Sequence, residues 1–370
     1  MNLLAEIFIL SYCLLMIIFI IIWVMNKYDN KADSNIQEKG FSVLIPVRNE
    51  AKNIGRLLQS LVEQQYKYFE VLLIDDSSED NTVEIAQAFL SRLDLRILSL
   101  SNTERGVSPK KNAITKALAL VKYDLIFCTD GDCVLSQNLL KEYNSIFENE
   151  KVKFISGPVT FMEEKSGFWE RLWEKVQIIE FASLVGSAAV SIFLKKPNMC
   201  SGANMAYRKS VFFEVNGYQG NTELASGDDE FLMHKINIKF KDAIVFAKSS
   251  ETIVRTQACN DLWAFYSQRK RWASKWTYYD SIIPKLLAVF VFLLNAFSIY
   301  LAFSGDWLAL SLKLALEIIF LGMVLSFLKK KGSIVFIPLV QIIYPFYVVF
   351  FGLNAVFMSR TYDWKGRKLK

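Results

Sequence analysis

Asp124-Leu-Ile-Phe-Cys-Thr-Asp-Gly-Asp132 is the stretch whose reading decides the fold. Its apolar run, Leu125 to Cys128, has the length of a fully buried strand and stops at two carboxylates, Asp130 and Asp132, separated by one glycine. A magnesium-like cation takes one or two protein carboxylates and completes its shell with water and substrate phosphate oxygens. A sparse acidic pair at a strand end suits it. Gly131 lets the turn bring backbone close to a ligand. Two aspartates around a glycine also make an ordinary solvated turn, so the pattern takes its meaning from the chain on either side.

Upstream, strand and helix patterns alternate. Phe41 to Val47 reads as a buried strand, Asn49 to Val62 has helical spacing, and Glu70 to Ile74 is a second strand running into Asp75-Asp76. Leu95 to Leu100 is a further strand, with helices expected at 82–92 and 109–121. Such alternation predicts a mostly parallel sheet covered on both faces, and sheets of that kind bind ligands at the carboxyl ends of their strands. Arg48-Asn49-Glu50, Asp75-Asp76 and Asp130-Gly-Asp132 would all fall on that edge. No glycine-rich fingerprint follows the first strand in Ile45-Pro-Val-Arg-Asn-Glu-Ala-Lys52, which counts against a P-loop and a dinucleotide fingerprint. Carboxylates could still hold a nucleotide by accepting from base N–H or ribose hydroxyl groups. Lys110-Lys111, following Pro109 at a helix start, either pair with a diphosphate or form a solvated basic turn.

Downstream, Val152 to Val159 reads as a strand. Glu163 to Leu194 follows as a helix with Phe168, Leu172, Val176 and Ile179 at helical spacing, lying at a membrane headgroup level or packed on the sheet. Cys200 to Arg208 is small and polar, suiting a loop that lets a ligand approach. Ser226-Gly-Asp-Asp-Glu230 opens a helix expected over Glu230 to Lys239; three carboxylates together exceed what capping requires. Gln268-Arg-Lys-Arg-Trp272 joins guanidinium and ammonium groups to an indole, suited to a diphosphate and a sugar face, or to anchoring at a membrane surface.

The 370 residues are 52% hydrophobic, with the apolar residues mostly at the two ends, which predicts membrane segments beside one soluble domain. Basic and acidic residues, 43 against 37, are interspersed with no long basic block, so nucleic acid is excluded as the expected partner. The five cysteines form no CxxC pair, and the single His234 leaves proton chemistry to carboxylates. Residues 5–25 form an apolar run long enough to cross a bilayer, without the basic start or small-residue site of a cleaved signal. Lys27 and Lys31 place the following domain in the cytoplasm, after a polar linker from Asn26 to Gly40. Apolar stretches at 286–303 and 307–328 form a hairpin returning at Lys329-Lys-Lys331, although Lys313 and Glu317 make the second an imperfect span. A third stretch, 334–358, contains Pro338 and Pro345 and is expected to be re-entrant or shallow, which keeps the basic tail from Arg360 to Lys370 inside.

In this order the motifs resemble a membrane-bound family 2 glycosyltransferase of the GT-A fold. The resemblance covers roughly residues 41–275 and rests on Pro46-Val-Arg-Asn-Glu50, Asp75-Asp76, Lys110-Lys111, Asp130-Gly-Asp132, Gly227-Asp-Asp229 and Gln268-Arg-Lys-Arg-Trp272. It implies an α/β, Rossmann-like nucleotide-sugar-binding domain with N- and C-terminal transmembrane helices. The boundaries would be a membrane anchor and linker start over 1–30, a cytoplasmic catalytic domain over 31–280 that includes the helix at 163–194, and a C-terminal membrane region with a basic tail over 281–370. Nucleotide binding then falls to Pro46, Arg48, Glu50, Asp75, Asp76, Lys110, Lys111 and Asp130. Asp130 and Asp132 would bind magnesium or manganese. Gln268, Arg271 and Trp272 would cover the diphosphate and acceptor. The later acidic motif usually reads Glu-Asp in the family and here reads Asp228-Asp229, which makes Asp229 the expected general base, with Asp228 as the alternative. The implied reaction is inverting transfer from a nucleotide diphosphate sugar, with UDP favoured, to a lipid or membrane-associated acceptor at the inner cell membrane. A processive β-glycan synthase is the alternative within the class, and a non-catalytic membrane scaffold the alternative outside it.

Overall fold

The computed structural model describes residues 2–26, 37–100, 108–224, 226–273, 282–357, 362–364 and 367–369. Lys27, Lys31, most of the polar linker and part of the basic tail lie outside them. The chain divides into a sheet unit (Tyr28–Met162, Ser191–Gln257, Trp364–Lys370) and a helical unit (Met1–Lys27, Glu163–Val190, Ala258–Asp363).

The sheet unit is built on β1 (Phe41–Val47), β2 (Phe69–Asp75), β3 (Leu95–Ser99) and β4 (Leu125–Cys128), all parallel where they pair. Near-continuous apolar strands of this kind are what a sheet covered on both faces selects, and Phe41, Val43, Leu44 and Ile45 are fully buried. Burying each such side chain contributes roughly 1.5–3 kcal/mol. The covering helices show the matching period: α2 (Ile54–Val62) buries Ile54, Leu57, Leu58 and Leu61. It begins five residues later than the spacing suggested, because Asn49 takes a left-handed φ of 51° and turns the chain first. The helix expected over 82–92 is α3 (Thr82–Gln87), followed by turns, and α4 is Pro109–Leu118. α5 (Leu139–Phe147), on which no expectation had fallen, buries Leu139, Leu140, Tyr143 and Phe147.

Two strand expectations change. The run expected at 152–159 is broken at Gly157-Pro158 into β5 (Phe154–Ser156) and β6 (Val159–Phe161). Pro158 has no N–H to give a ladder, and a Cβ on Gly157 would lie 2.1 Å from the Tyr143 hydroxyl, so the backbone bends there against α5. After α6 (Phe168–Phe193), the stretch expected as a loop, Cys200 to Arg208, ends in a buried strand, β7 (Met205–Arg208). It runs antiparallel between β4 and β5, so the sheet is mixed. Further elements are α7 (Lys209–Glu214), α8 (Glu230–Lys239), β8 (Ile244–Phe246) and β9 (Val254–Thr256). The seven-stranded order is β3-β2-β1-β4-β7-β5-β8, with β6 and β9 paired separately.

The helical unit holds α1 (Asn2–Met25), most of α6, α9 (Leu262–Ala273), α10 (Ile282–Ser304), α11 (Trp307–Phe327) and α12 (Ile337–Phe357). Five of these, all but α9, are long and apolar enough to cross a membrane. α6 is the most shielded of them, with 67% of its apolar window buried against 17–33% in the others. Its Gly186 lies against Phe320 and Val324 of α11, where a Cβ would come within 2.9 Å of either side chain. α12 continues through Pro345 as one helix, so the expected break at the prolines does not occur. Lys313 and Glu317, each 5% exposed, form an ion pair at 2.8 Å, and the Tyr12 hydroxyl of α1 donates to Glu317 at 2.9 Å. Pairing and hydrogen bonding are what permit two ionisable groups in such a helix.

Candidate active site

Because β1, β2 and β4 run side by side in one direction, their carboxyl ends share an edge, in the register Val47 against Asp75 and Leu44 against Cys128. Arg48 and Glu50 follow β1, Asp75 closes β2 with Asp76 behind it, and Asp130 and Asp132 follow β4. Pro46 lies within β1, opposite Ile74. The reversed direction of β7 brings the residues before it, Ser201 to Asn204, to the same edge beside β4.

At the centre of that edge is Lys110, on the first turn of α4. Its ammonium lies 2.8 Å from Asp130 Oδ1 and 3.1 Å from Asp228 Oδ2. Burial works to lower its pKa, but the Asp130 and Asp228 carboxylates, with Asp229 adding, outweigh it and hold the group well above the usual lysine value. Asp229 caps α8, accepting from the Glu230 N–H at 2.8 Å through Oδ1, and accepts from the Gly202 N–H at 2.9 Å through Oδ2. A Cβ at Gly202 would lie 3.1 Å from Lys110 Nζ and 3.2 Å from Asp228 Oδ2, so the backbone there borders both groups. Asp130, Asp228 and Asp229, separated by about a hundred residues in sequence, therefore converge on one lysine and one glycine.

Gly131 holds the Asp130–Asp132 turn against β1: a Cβ would meet Val47 Cγ1 at 2.8 Å and Glu50 Cγ at 2.9 Å. Asp132 flanks the buried Cys133, whose thiol burial pushes well up, with the Asp132 and Asp130 charges adding to the shift. Among the described residues no group of three or more His, Cys, Asp and Glu could enclose a metal ion. The carboxylate oxygens of Asp130 and Asp132 are the hard donors a divalent ion takes, with Asp130 Oδ1 here paired with the Lys110 ammonium.

The remaining expected residues have specific partners. Arg48, 6% exposed, donates to the carbonyls of Asp76 and Ser77 and pairs with Glu79 at 2.8 Å, clamping the loop after β2. Asp75 accepts from the Ser78 backbone N–H at 3.1 Å and from its hydroxyl, and Asp76 is 4% exposed. Lys111 donates to the carbonyls of Asn221 and Leu224, both at 2.7 Å, and so ties α4 to the segment that leads to Asp228. Gln268, Arg271 and Trp272 lie on α9 in the helical unit. Sequence reading missed the Gly202 N–H as a site group; its signal was the small, polar Cys200 to Arg208 stretch. It also missed Asn204, whose amide donates to the Pro158 and Thr252 carbonyls at 2.8 Å each and whose carbonyl accepts from Tyr143 at 2.6 Å.

Residues 42–215 match the family model described as Glycosyl transferase family 2. The chain is 27% identical over 247 residues to a poly-beta-1,6-N-acetyl-D-glucosamine synthase of Staphylococcus epidermidis, covering 64% of this chain and 54% of the synthase. It is 28% identical over 193 residues to the synthase of the same description from Staphylococcus aureus strain COL, covering 51% of this chain and 44% of the relative. The chain thus spans about half the length of the curated relatives it matches. In fold it is similar to a mannosyltransferase of Pyrobaculum calidifontis solved with GDP-Man and Mn2+, at a TM-score of 0.59 and 14% identity, covering 96% of this chain and 99% of that one.

Proposed function

We propose that this chain, which carries a glycosyl transferase family 2 domain on a GT-A-type mixed sheet, transfers a sugar from a nucleoside diphosphate sugar with inversion at the anomeric carbon. The observation that supports it most is the convergence of Asp130, Asp228 and Asp229 around Lys110 at the carboxyl edge of the sheet.

In this reading the loops after β1 and β2, clamped by Arg48 and carrying Glu50, Asp75 and Asp76, receive the nucleoside. Asp130 and Asp132 would hold a divalent ion, which supplies charge neutralisation to the departing diphosphate. Lys110, already at the centre of the carboxylates, adds a second positive charge at the same place. Lys111 acts at one remove, by fixing the 221–224 segment. Asp228 is buried and paired with Lys110, whereas Asp229 is only partly covered, which favours Asp229 as the base. The Asp229 carboxylate takes the acceptor hydroxyl's proton, the oxygen forms its bond to the anomeric carbon, and the bond from that carbon to the diphosphate breaks. One displacement with no covalent intermediate inverts the configuration. Gln268, Arg271 and Trp272 are assigned to the diphosphate and acceptor on the strength of the motif.

The similarity to poly-beta-1,6-N-acetyl-D-glucosamine synthases makes UDP-N-acetylglucosamine the first donor to test, and a growing β-glycan the acceptor they favour. Transfer of a single sugar to a lipid or membrane-held acceptor is the second reading. The candidate spans, with Lys329 to Lys331 after α11, support a catalytic unit on the cytoplasmic face of the membrane. The test is a screen of nucleotide sugars with the detergent-solubilised full chain, with and without manganese, followed by mass analysis of products. Metal-dependent consumption of one donor that Asp130→Asn and Asp229→Asn abolish supports the reading, and product length separates polymer from single transfer. Consumption that survives both substitutions overturns it.

A further inference from the structure

The sequence motif on α9 draws attention to Gln268, Arg271 and Trp272, yet the residue that organises this helix is Arg269, a position the motif leaves open. Arg269 is 4% exposed. Its guanidinium makes a two-point contact with Glu180 of α6, Nε to Oε1 at 2.9 Å and Nη2 to Oε2. Glu180 is itself 6% exposed and accepts a third hydrogen bond from the Tyr347 hydroxyl of α12 at 3.0 Å. One carboxylate therefore joins three helices of the same unit. A buried two-point Arg–carboxylate pair with a third donor has little freedom to shift, because each fork tooth and each oxygen is placed.

The same guanidinium reaches the two motif side chains beside it. Its carbon lies 4.3 Å from the centre of the Trp272 ring and 4.3 Å from that of Phe265, so the cation lies over both an indole and a phenyl ring. Its Nη1 donates to the Gln268 side-chain oxygen. That oxygen also lies 3.4 Å from the Cys259 thiol, whose backbone is fixed by Gln177 of α6 at 2.8 and 3.0 Å. Trp272 has Phe181 on α6 at 5.8 Å between ring centres. Gln268 and Trp272 thus take their orientations from one buried cation, which takes its own from Glu180 and Tyr347.

We propose that Arg269 is a positioning residue for the transfer reaction, with the Glu180 carboxylate and Tyr347 hydroxyl setting the guanidinium that orients Gln268 and Trp272. The inference rests on the transferase reading above and extends it to residues outside the motif. A structural role alone predicts something different, and the buried pair allows the two to be separated. Removing one partner strands a buried charge, at a cost of about 3–5 kcal/mol, whereas replacing both with apolar residues of similar volume is often close to neutral. The informative variant is therefore the joint substitution Arg269→Met with Glu180→Met, accompanied by Tyr347→Phe as the mildest perturbation.

The experiment uses the full chain in detergent with UDP-N-acetylglucosamine as donor and a short soluble β-1,6-linked N-acetylglucosamine oligomer as acceptor probe. It reads the ratio of sugar transferred to sugar hydrolysed, which does not depend on how much of the enzyme is folded. In the joint variant with a parental unfolding midpoint, the ratio is expected to fall by about tenfold, the size of one lost charge-assisted hydrogen bond. Tyr347→Phe is expected to lower it by a smaller factor in the same direction. A parental ratio in the joint variant overturns the inference. A second reading needs no turnover: the emission of Trp272, taken as the difference between each protein and its Trp272→Phe version, is expected to shift when the guanidinium is removed. If the parent consumes no nucleotide sugar, the transferase reading fails. The Trp272 difference still decides the positioning claim, since an unchanged difference in the joint variant overturns it.

Discussion

Among the site residues, the two aspartates of the later acidic motif lie next to each other in sequence and in different surroundings. Asp229 caps α8 and holds the Gly202 N–H, while Asp228 is buried against Lys110. Asp229→Asn keeps one acceptor oxygen for the Glu230 N–H that starts α8, gives up acceptance from the Gly202 N–H and loses the basic group, so turnover is expected to fall by roughly 10²–10⁴ with UDP binding by calorimetry reduced far less. Asp228→Asn leaves Lys110 with one carboxylate instead of two, and is expected to weaken UDP binding as well as turnover. At Gly131, an alanine would press on Val47 and Glu50, and Gly131→Ala is expected to reduce manganese-dependent donor binding and to lower stability by about 1–3 kcal/mol in denaturant titration. Asp130 and the Asp228-Asp229 pair, which the fold brings to Lys110 and Gly202, could be picked out in the sequence because each motif is local. The partners of Arg48 and Lys111 were not, since carbonyls at Asp76, Ser77, Asn221 and Leu224 become neighbours only when the sheet forms.

At the level of elements, hydrophobic runs announced β1, β2, β3 and β4, and the helix over Glu230 to Lys239 falls where the spacing placed it. β7 escaped notice because Met205-Ala-Tyr-Arg208 is four residues long and follows a glycine- and serine-containing segment. Its burial comes from β4 and β5 on either side, which no local pattern encodes. Asn204, just before it, joins Pro158, Thr252 and Tyr143 through its amide. Asn204→Ala leaves the Thr252 carbonyl and the Tyr143 hydroxyl without that partner, while the Pro158 carbonyl keeps the Val254 N–H at 3.0 Å, and is expected to lower unfolding free energy by about 1–3 kcal/mol per stranded group in denaturant titration. α12 shows the reverse case: the prolines argued for a break, yet helix packing in an apolar unit tolerates Pro345.

For the molecule as a whole, strand–helix alternation foretold an α/β unit and composition a set of apolar helices, and both are present. Which stretches join which unit was less legible, because Glu163–Val190 and Ala258–Asp363 group with the N-terminal helix through contacts far apart in sequence. The charged residues in α11 illustrate how such contacts change what a local pattern implies: Lys313 and Glu317 argued against a span until Tyr12 and their mutual pairing accounted for them. Lys313→Leu alone is expected to destabilise the helical unit by about 3–5 kcal/mol, and the joint Lys313→Leu, Glu317→Leu change to recover most of it, measured by thermal unfolding in detergent. The long reach between Tyr12 and Glu317 also fixes a schedule for biogenesis. α1 leaves the ribosome before the other helices, and the rings that its Trp23 meets, Phe320 and Phe327, are made long after it. The first helix, long and apolar enough to cross a membrane, is therefore made before every strand of the seven-stranded sheet, and its partners in α11 are made only after the last of them.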